Sequence, residues 1–333
     1  MTALAIDPRT LGPLVWDMHG CPQRIPGNDL PYALERYRAA GFDAVTVNVA
    51  DSFYVLEDAI HTIASFRAQL TAHPERYLLV RSVRDLEKAR AAGKLAVSFD
   101  VEGALSLGTD LDLVDLYYDL GVRWMLFVYN LENAAGFGCH DPVDRGLTAF
   151  GRKLVERMER VGMIKCCSHT GYRTALDVFA ASTKPTILSH SNPRRLVDHE
   201  RNVPDEILKA CAATGGVVGI NGVGLFLGSP EPTATDFFRA LDYTVELIGA
   251  DHVGIAFDSV FVPPSGAKGE YQGERRTDYW PPSKGYTAQI AILGPEALGG
   301  VVEQMVAAGY PKDAIAGILG KNFARVAAAC WRD

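Results

Sequence analysis

Short apolar runs alternate along this chain with longer stretches of helical period. Runs at 14–16, 44–49, 95–99, 124–128, 163–167, 186–188, 217–220 and 253–257 are compact, apolar and too short for helices, and they read as buried strands. Most gaps between them hold amphipathic stretches, at 30–40, 55–70, 82–92, 111–120, 151–161, 172–181, 204–214 and 235–248. Strand–helix alternation predicts parallel pairing through right-handed crossovers. Eight such repeats predict a closed (β/α)8 TIM barrel, with an open doubly wound sheet as the structural alternative. No Gly-x-Gly-x-x-Gly follows the first run, which weakens a dinucleotide-binding reading of that open sheet. Pro204-Asp205-Glu206 is a good helix start, with proline in the first turn and acids at the positive helix end. Residues 295–307 and 312–329 predict two more helices at the C-terminus, within 295–330. Residues 261–286 are rich in Pro, Gly, Lys, Arg and Tyr, lack a period, and follow the eighth strand. They predict a loop over the barrel mouth. Residues 1–333 are thus read as one barrel domain.

Composition narrows the class. The chain is 48% hydrophobic and 22% charged, ordinary for a globular protein, and its net charge of −7 argues against nucleic acid as a main partner. Its six cysteines are scattered and form no Cys-x-x-Cys pair, so a zinc ribbon or redox motif is not expected. A reducing, cytoplasmic compartment is the simpler expectation. The start of the sequence has neither a basic segment nor a long apolar one, so neither a signal peptide nor a membrane span is expected.

Candidate chemistry gathers at the predicted strand ends. The run Met163-Ile164-Lys165-Cys166-Cys167 closes on Ser168-His169, and Pro185-Thr186-Ile187-Leu188 closes on Ser189-His190. The first strand runs into Asp17-Met18-His19-Gly20-Cys21, the third into Asp100-Val101-Glu102-Gly103, the fourth into Tyr129-Asn130 and the eighth into Asp258. Barrel enzymes keep their chemistry at this rim. Histidines 19, 169 and 190 with Glu102 and Asp258 form a ligand set that suits zinc, with a carboxylate able to bridge two ions. Taken singly, each has a plainer reading: a hydrogen-bonded structural histidine, an acid at a helix start, or a cap. Their recurrence at several independent strand ends favours ligation. His61, His73, His140, His199 and His252 fall in helices or loops and are read as surface or structural.

This constellation resembles the membrane (renal-type) dipeptidase family, a branch of the amidohydrolase superfamily of metal-dependent barrels. The likeness spans most of the chain. Its strongest segments are Val101-Glu102-Gly103, Ser168-His169, Leu188-Ser189-His190-Ser191-Asn192, Arg201-Asn202-Val203-Pro204-Asp205, Asp251-His252-Val253-Gly254-Ile255 and Gly320-Lys321-Asn322-Phe323-Ala324-Arg325-Val326. The resemblance implies a (β/α)8 metallohydrolase, usually a homodimer with two zinc ions. It implies hydrolysis of dipeptides by a metal-bound hydroxide, with a D- or dehydro residue tolerated on the carboxyl side. It implies His19 as the first-strand ligand, Glu102 as the bridging carboxylate, and His169 and His190 as ligands of the second ion. Asp258 is then the acid/base carboxylate, and Arg201 the group that holds the substrate carboxylate. A guanidinium has the forked geometry for that task. On its own, Arg201 reads as a surface ion-pair residue.

Two departures from the family pattern bear on activity. Where the family has His-x-Asp, this chain has His19-Gly20-Cys21. Thiolate is a competent zinc ligand, so Cys21 is a candidate, with one or two Zn2+ per chain. Asn28-Asp29-Leu30-Pro31 resembles displaced family text, which makes Asp29 an alternative. Where the family has a substrate-contacting histidine, this chain has Tyr129, a phenol able to donate to an oxyanion but unable to act as an imidazolium. Two other readings stay open: a catalytically impaired or repurposed dipeptidase-like binding protein, and a hydrolase of a non-dipeptide amide or lactam.

Overall fold

The computed structural model describes residues 7–12, 14–22, 30–52, 54–261, 276–287 and 290–332. Among the described residues ten strands form, β1 (Trp16–Pro22), β2 (Ala44–Asp51), β3 (Tyr77–Leu79), β4 (Leu95–Glu102), β5 (Val122–Leu126), β6 (Ile164–Cys166), β7 (Thr186–Ile187), β8 (Val218–Asn221), β9 (Val253–Ala256) and β10 (Ser259–Phe261). Eight pair in parallel in the order β7-β6-β5-β4-β2-β1-β9-β8. A parallel bridge between Leu188 and Val218 joins the two ends. It is made by Leu188 N–H donating to Val217 O (3.0 Å) and Gly219 N–H to Leu188 O (2.8 Å). The sheet therefore closes into a barrel, and the open-sheet alternative falls.

All eight predicted strands occur, but the first sits later than expected. β1 carries Asp17 and His19 within it, and polar side chains inside a barrel strand mask the apolar run by which a strand is recognised. β3 and β10 were not expected. Each is only three residues long, too short for a period to register, and they flank β4 and β1.

Alternation along the strands splits the core in two. Val97, Phe99 and Val101 of β4 face the outer layer, packed with the helices. Trp16, Met18, Ala96, Trp124, Leu126, Ile164, Cys166 and Ile187 fill the barrel interior. Phe323 and Trp331 from the C-terminal helix plug its lower end, with ring centroids 4.5 and 5.8 Å from Trp16. That helix was expected as one piece over 312–329. It is instead interrupted at Gly320, whose backbone is extended (φ 172°), and resumes as Asn322–Cys330. The interruption lets Asn322 Nδ2 donate to Ala250 O and Val253 O, tying the tail to β9.

Among the described residues, no helix is long and apolar enough to cross a membrane. All six cysteines are free thiols.

Candidate metal centre

The interior of β4 reads Ala96, Ser98, Asp100, Glu102, so period-two alternation sends both acids into the barrel at its C-terminal end. His19 follows interior Met18 directly and would face outward under strict alternation. The β1–β2 register shifts between Asp17 and Gly20, a bulge that turns His19 inward as well. His169, His190 and Asp258 lie just beyond β6, β7 and β9. Among the described residues, the non-glycine positions with positive φ are Asn130, His169 and Asp258 (57°, 62° and 56°). All lie at this rim, so the backbone strain of the fold gathers around one site. Gly103 (φ 115°) passes so close to Ser52 that a Cβ would lie 2.0 Å from its Oγ, which is why the residue after Glu102 carries no side chain.

Three imidazoles aim at one oxygen. The Nε2 atoms of His190, His169 and His19 lie 3.1, 3.4 and 3.6 Å from Glu102 Oε1. That oxygen is buried and has no hydrogen-bond partner. The Nε2 atoms of His169 and His190 are only 2.9 Å apart. Asn130 Nδ2 donates to Tyr279 O (3.0 Å), which turns its Oδ1 toward His169 Nδ1 at 2.7 Å. An amide oxygen only accepts, so His169 carries its proton on Nδ1 and presents a lone pair inward. His19 Nδ1 is held by Asp100 Oδ2 (3.1 Å), and His190 Nδ1 by Ser189 Oγ (2.8 Å). Such partners on the outer nitrogen orient metal-ligating histidines.

The electrostatics agree with this aim. Burial, then Arg201 and the other histidines, push His169 and His190 well below the usual histidine range, so both rings are neutral. Burial also opposes charge on His19, but Cys21, Asp100 and Glu102 outweigh it and hold that ring well above its usual value. Burial raises the Glu102 pKa to about 8, against the opposing pull of His19. Neutral lone pairs, an orphaned carboxylate oxygen and a corner that demands positive charge fit a divalent cation, and the residues present suit one. The groups within reach of a shared ion are His19, Glu102 and His190 in one set, and His19, Cys21 and Asp258 in another.

Around this centre the remaining expectations sort themselves. Asp258 is followed by β10 and caps no helix. Its Oδ2 accepts from Asn221 Nδ2 (2.9 Å), and its Oδ1 lies 3.5 Å from His19 Nε2. Burial opposes its charge, but His19 and Arg201 outweigh that and lower its pKa. Arg201 is not a surface ion-pair residue. It is 2% exposed and has no carboxylate partner among the described residues. Its Nη2 donates to His190 O (2.7 Å), its Nη1 to Ser191 Oγ (3.4 Å), and its Nε is buried without a partner. Tyr129 stacks on His169 at 4.1 Å.

The expected loop at 261–286 lies partly outside the described residues. Its later part does reach the mouth: Trp280 Nε1 donates to Tyr129 Oη (3.1 Å), and Tyr286 Oη meets His140 Nε2 (2.9 Å). Of the surface and structural readings, His140 and His199 take the structural one. They tie this strap to the barrel, with His199 Nε2 donating to Lys284 O at 2.8 Å. Asp29 lies outside the described residues. The positioning roles of Asp100, Asn130, Asn221 and Trp280 were missed. Polar residues inside otherwise apolar strands were the available signal for the first and third.

The chain matches the model of the membrane dipeptidase family (peptidase family M19) over residues 32–270. It is 35% identical over 189 residues to an uncharacterized dipeptidase of Schizosaccharomyces pombe, covering 54% of this chain and 45% of that protein. The chain spans about half the length of the curated relatives it matches. A solved amidohydrolase from Pseudomonas aeruginosa superposes with a TM-score of 0.84 at 26% identity, covering 98% of this chain and 99% of that one. A metallo peptidase from Rhodobacter sphaeroides, liganded with a phosphinate mimic of the dipeptide L-Ala-D-Ala, shares the fold at TM-score 0.76 and 20% identity, with 96% and 99% covered.

Proposed function

Because this chain belongs to the membrane dipeptidase family, we propose that it is a metal-dependent dipeptidase, cleaving the amide bond of dipeptides or similar small amides with a free carboxylate. The observation that carries this reading is the buried, unpartnered Glu102 Oε1 facing the Nε2 atoms of His19, His169 and His190. Those four side chains would hold the metal, and a nitrogen-rich set with one carboxylate favours zinc. When bound, zinc supplies a Lewis acid that polarises a carbonyl and brings the pKa of a water to about 7.

The chain's own groups do the rest. Arg201, with Nε unspent, binds the substrate carboxylate and sets the scissile bond at a fixed distance from the rim. Asp258 is ionised and oriented by Asn221 at Oδ2, so its carboxylate takes a proton from the attacking water and passes it to the leaving amine. Trp280 donates to the Tyr129 oxygen, which polarises the phenol as a donor toward the carbonyl oxygen.

The test is a hydrolysis screen of dipeptides, with L- and D-residues on the carboxyl side, using protein of known metal content. We expect turnover that a chelator abolishes and zinc restores, and that Glu102→Gln lacks. Metal-loaded protein that cleaves no member of the panel would overturn the assignment.

A further inference from the structure

Cys21 occupies a corner that the reaction proposed above does not use. Its Sγ lies 3.2 Å from His19 Nε2 and 3.4 Å from Asp258 Oδ1, and those two atoms are 3.5 Å apart. We propose that Cys21 is a metal ligand through its sulfur, so that the half of the centre built on His19, Cys21 and Asp258 is a mixed nitrogen–sulfur–oxygen site selective for a thiophilic divalent ion. The inference rests on the metal-dependent reading above and sharpens it.

Bond lengths support this placement. Zinc bonds of about 2.3 Å to sulfur and about 2.0–2.1 Å to nitrogen or oxygen give tetrahedral edges of about 3.5–3.6 Å from sulfur and about 3.3–3.4 Å between nitrogen and oxygen. The observed 3.2 and 3.4 Å from sulfur and 3.5 Å between Nε2 and Oδ1 lie within about 0.4 Å of such edges. Glu102 Oε1, 3.6 Å from His19 Nε2, belongs to the adjoining set with His190.

Hydrogen-bond accounting points the same way. His19 commits Nδ1 to Asp100, which leaves Nε2 as the atom it turns toward Cys21 and Asp258. The sulfur of Cys21 sits between His19 Nε2 and Asp258 Oδ1, donating its one S–H to the latter, and the nearby Glu102 Oε1 has no hydrogen-bond partner. A single cation among the nitrogen, sulfur and oxygen of His19, Cys21 and Asp258 gives all three a partner at once.

The sulfur is also held in place. Gly20, Cys21 and Pro22 pair in register with Ser259, Val260 and Phe261 of β10. The other half of the centre, His169 and His190 with Glu102, offers only nitrogen and oxygen, so the two halves differ in softness.

A rival reading is visible in the same atoms. Cys21, His19 and Asp100 line up as a nucleophilic thiol, a base and its orienting acid, at 3.2 and 3.1 Å. Against it, Asp258 lies 3.4 Å from the sulfur. A thiolate nucleophile there would be formed beside a carboxylate.

The experiment is cobalt titration of chelator-stripped, full-length protein, read by absorbance. We expect a sulfur-to-cobalt charge-transfer band in the near ultraviolet that saturates with one equivalent. In Cys21→Ser the band disappears, while the visible cobalt bands of the nitrogen–oxygen half persist and report that the protein is folded. In Cys21→Asp cobalt stoichiometry is kept without the band. Cadmium affinity should fall in Cys21→Ser by more than the roughly 100-fold that loss of an outer-sphere partner costs, and manganese affinity far less.

Cobalt binding without the band, or a band that survives Cys21→Ser, overturns the proposal and leaves the dipeptidase reading intact. Failure of the wild-type protein to bind cobalt overturns both. Alkylation of Cys21 by iodoacetamide at equal rates in stripped and loaded protein also overturns it, in favour of the thiol nucleophile.

Discussion

Replacing Arg201 with methionine keeps much of the side chain's length and removes the forked donor. Arg201 is 2% exposed, so a substrate carboxylate paired with it is desolvated. The relevant magnitude is then about 2–5 kcal/mol for breaking a buried charge pair, not the 0–1 kcal/mol or so of a surface bridge. At about 1.4 kcal/mol per decade this is a loss of roughly 30-fold to several thousand-fold in kcat/KM. Part of any loss will be structural, because His190 O and Ser191 Oγ forfeit their donors, 2.7 and 3.4 Å away. A pair of substrates removes that part: one dipeptide with a free carboxyl terminus and the same dipeptide as its amide. The wild-type protein should prefer the free acid strongly, and Arg201→Met should lose that preference while retaining its metal. The loss should appear mainly in KM, since an anchor remote from the reacting atoms binds ground and transition states alike. If both substrates suffer equally, or metal content falls in step with activity, Arg201 is a structural residue and the anchoring role is wrong.

Other consequences follow from the same geometry. Asp100→Ala strips His19 Nδ1 of its 3.1 Å partner and should weaken zinc binding by about 10- to 100-fold in chelator competition; unchanged affinity would mean that His19 needs no orienting group. Trp280→Phe removes the indole donor 3.1 Å from Tyr129 and should lower kcat by about 2- to 12-fold, the equivalent of one hydrogen bond of 0.5–1.5 kcal/mol, at unchanged metal stoichiometry. A larger fall accompanied by metal loss would assign Trp280 to the fold instead. Burial lowers the pKa of His140 from 6.5 to about 4. Between those values the unfolded chain binds the proton more readily, so this residue's contribution is complete above about pH 6.5 and is lost as the pH falls toward 4. Denaturant unfolding should show that acid-side loss, worth up to about 3 kcal/mol, and His140→Gln should flatten it; an unaltered pH slope would place the titration elsewhere.

How much of this was legible in the chain can be judged residue by residue. Alternating apolar runs determined the number of barrel strands and their parallel connection, because a buried strand must be apolar and a crossover must be long. The Ser-His endings at 169 and 190, with Glu102 and Asp258 in matching positions, marked the rim, since a barrel can bring strand ends together only there. What the sequence could not hold is anything set by contact between remote segments. The inward turn of His19 depends on a shift in its pairing with β2. The protonation of His169 depends on an amide oriented by Tyr279, a residue of the strap. Arg201 reads as an ordinary surface charge until segments remote in sequence bury it. Periodicity is a local property, written in consecutive residues. The direction of a lone pair and the burial of a charge are decided by atoms far away along the chain, and they acquire values only when the barrel closes.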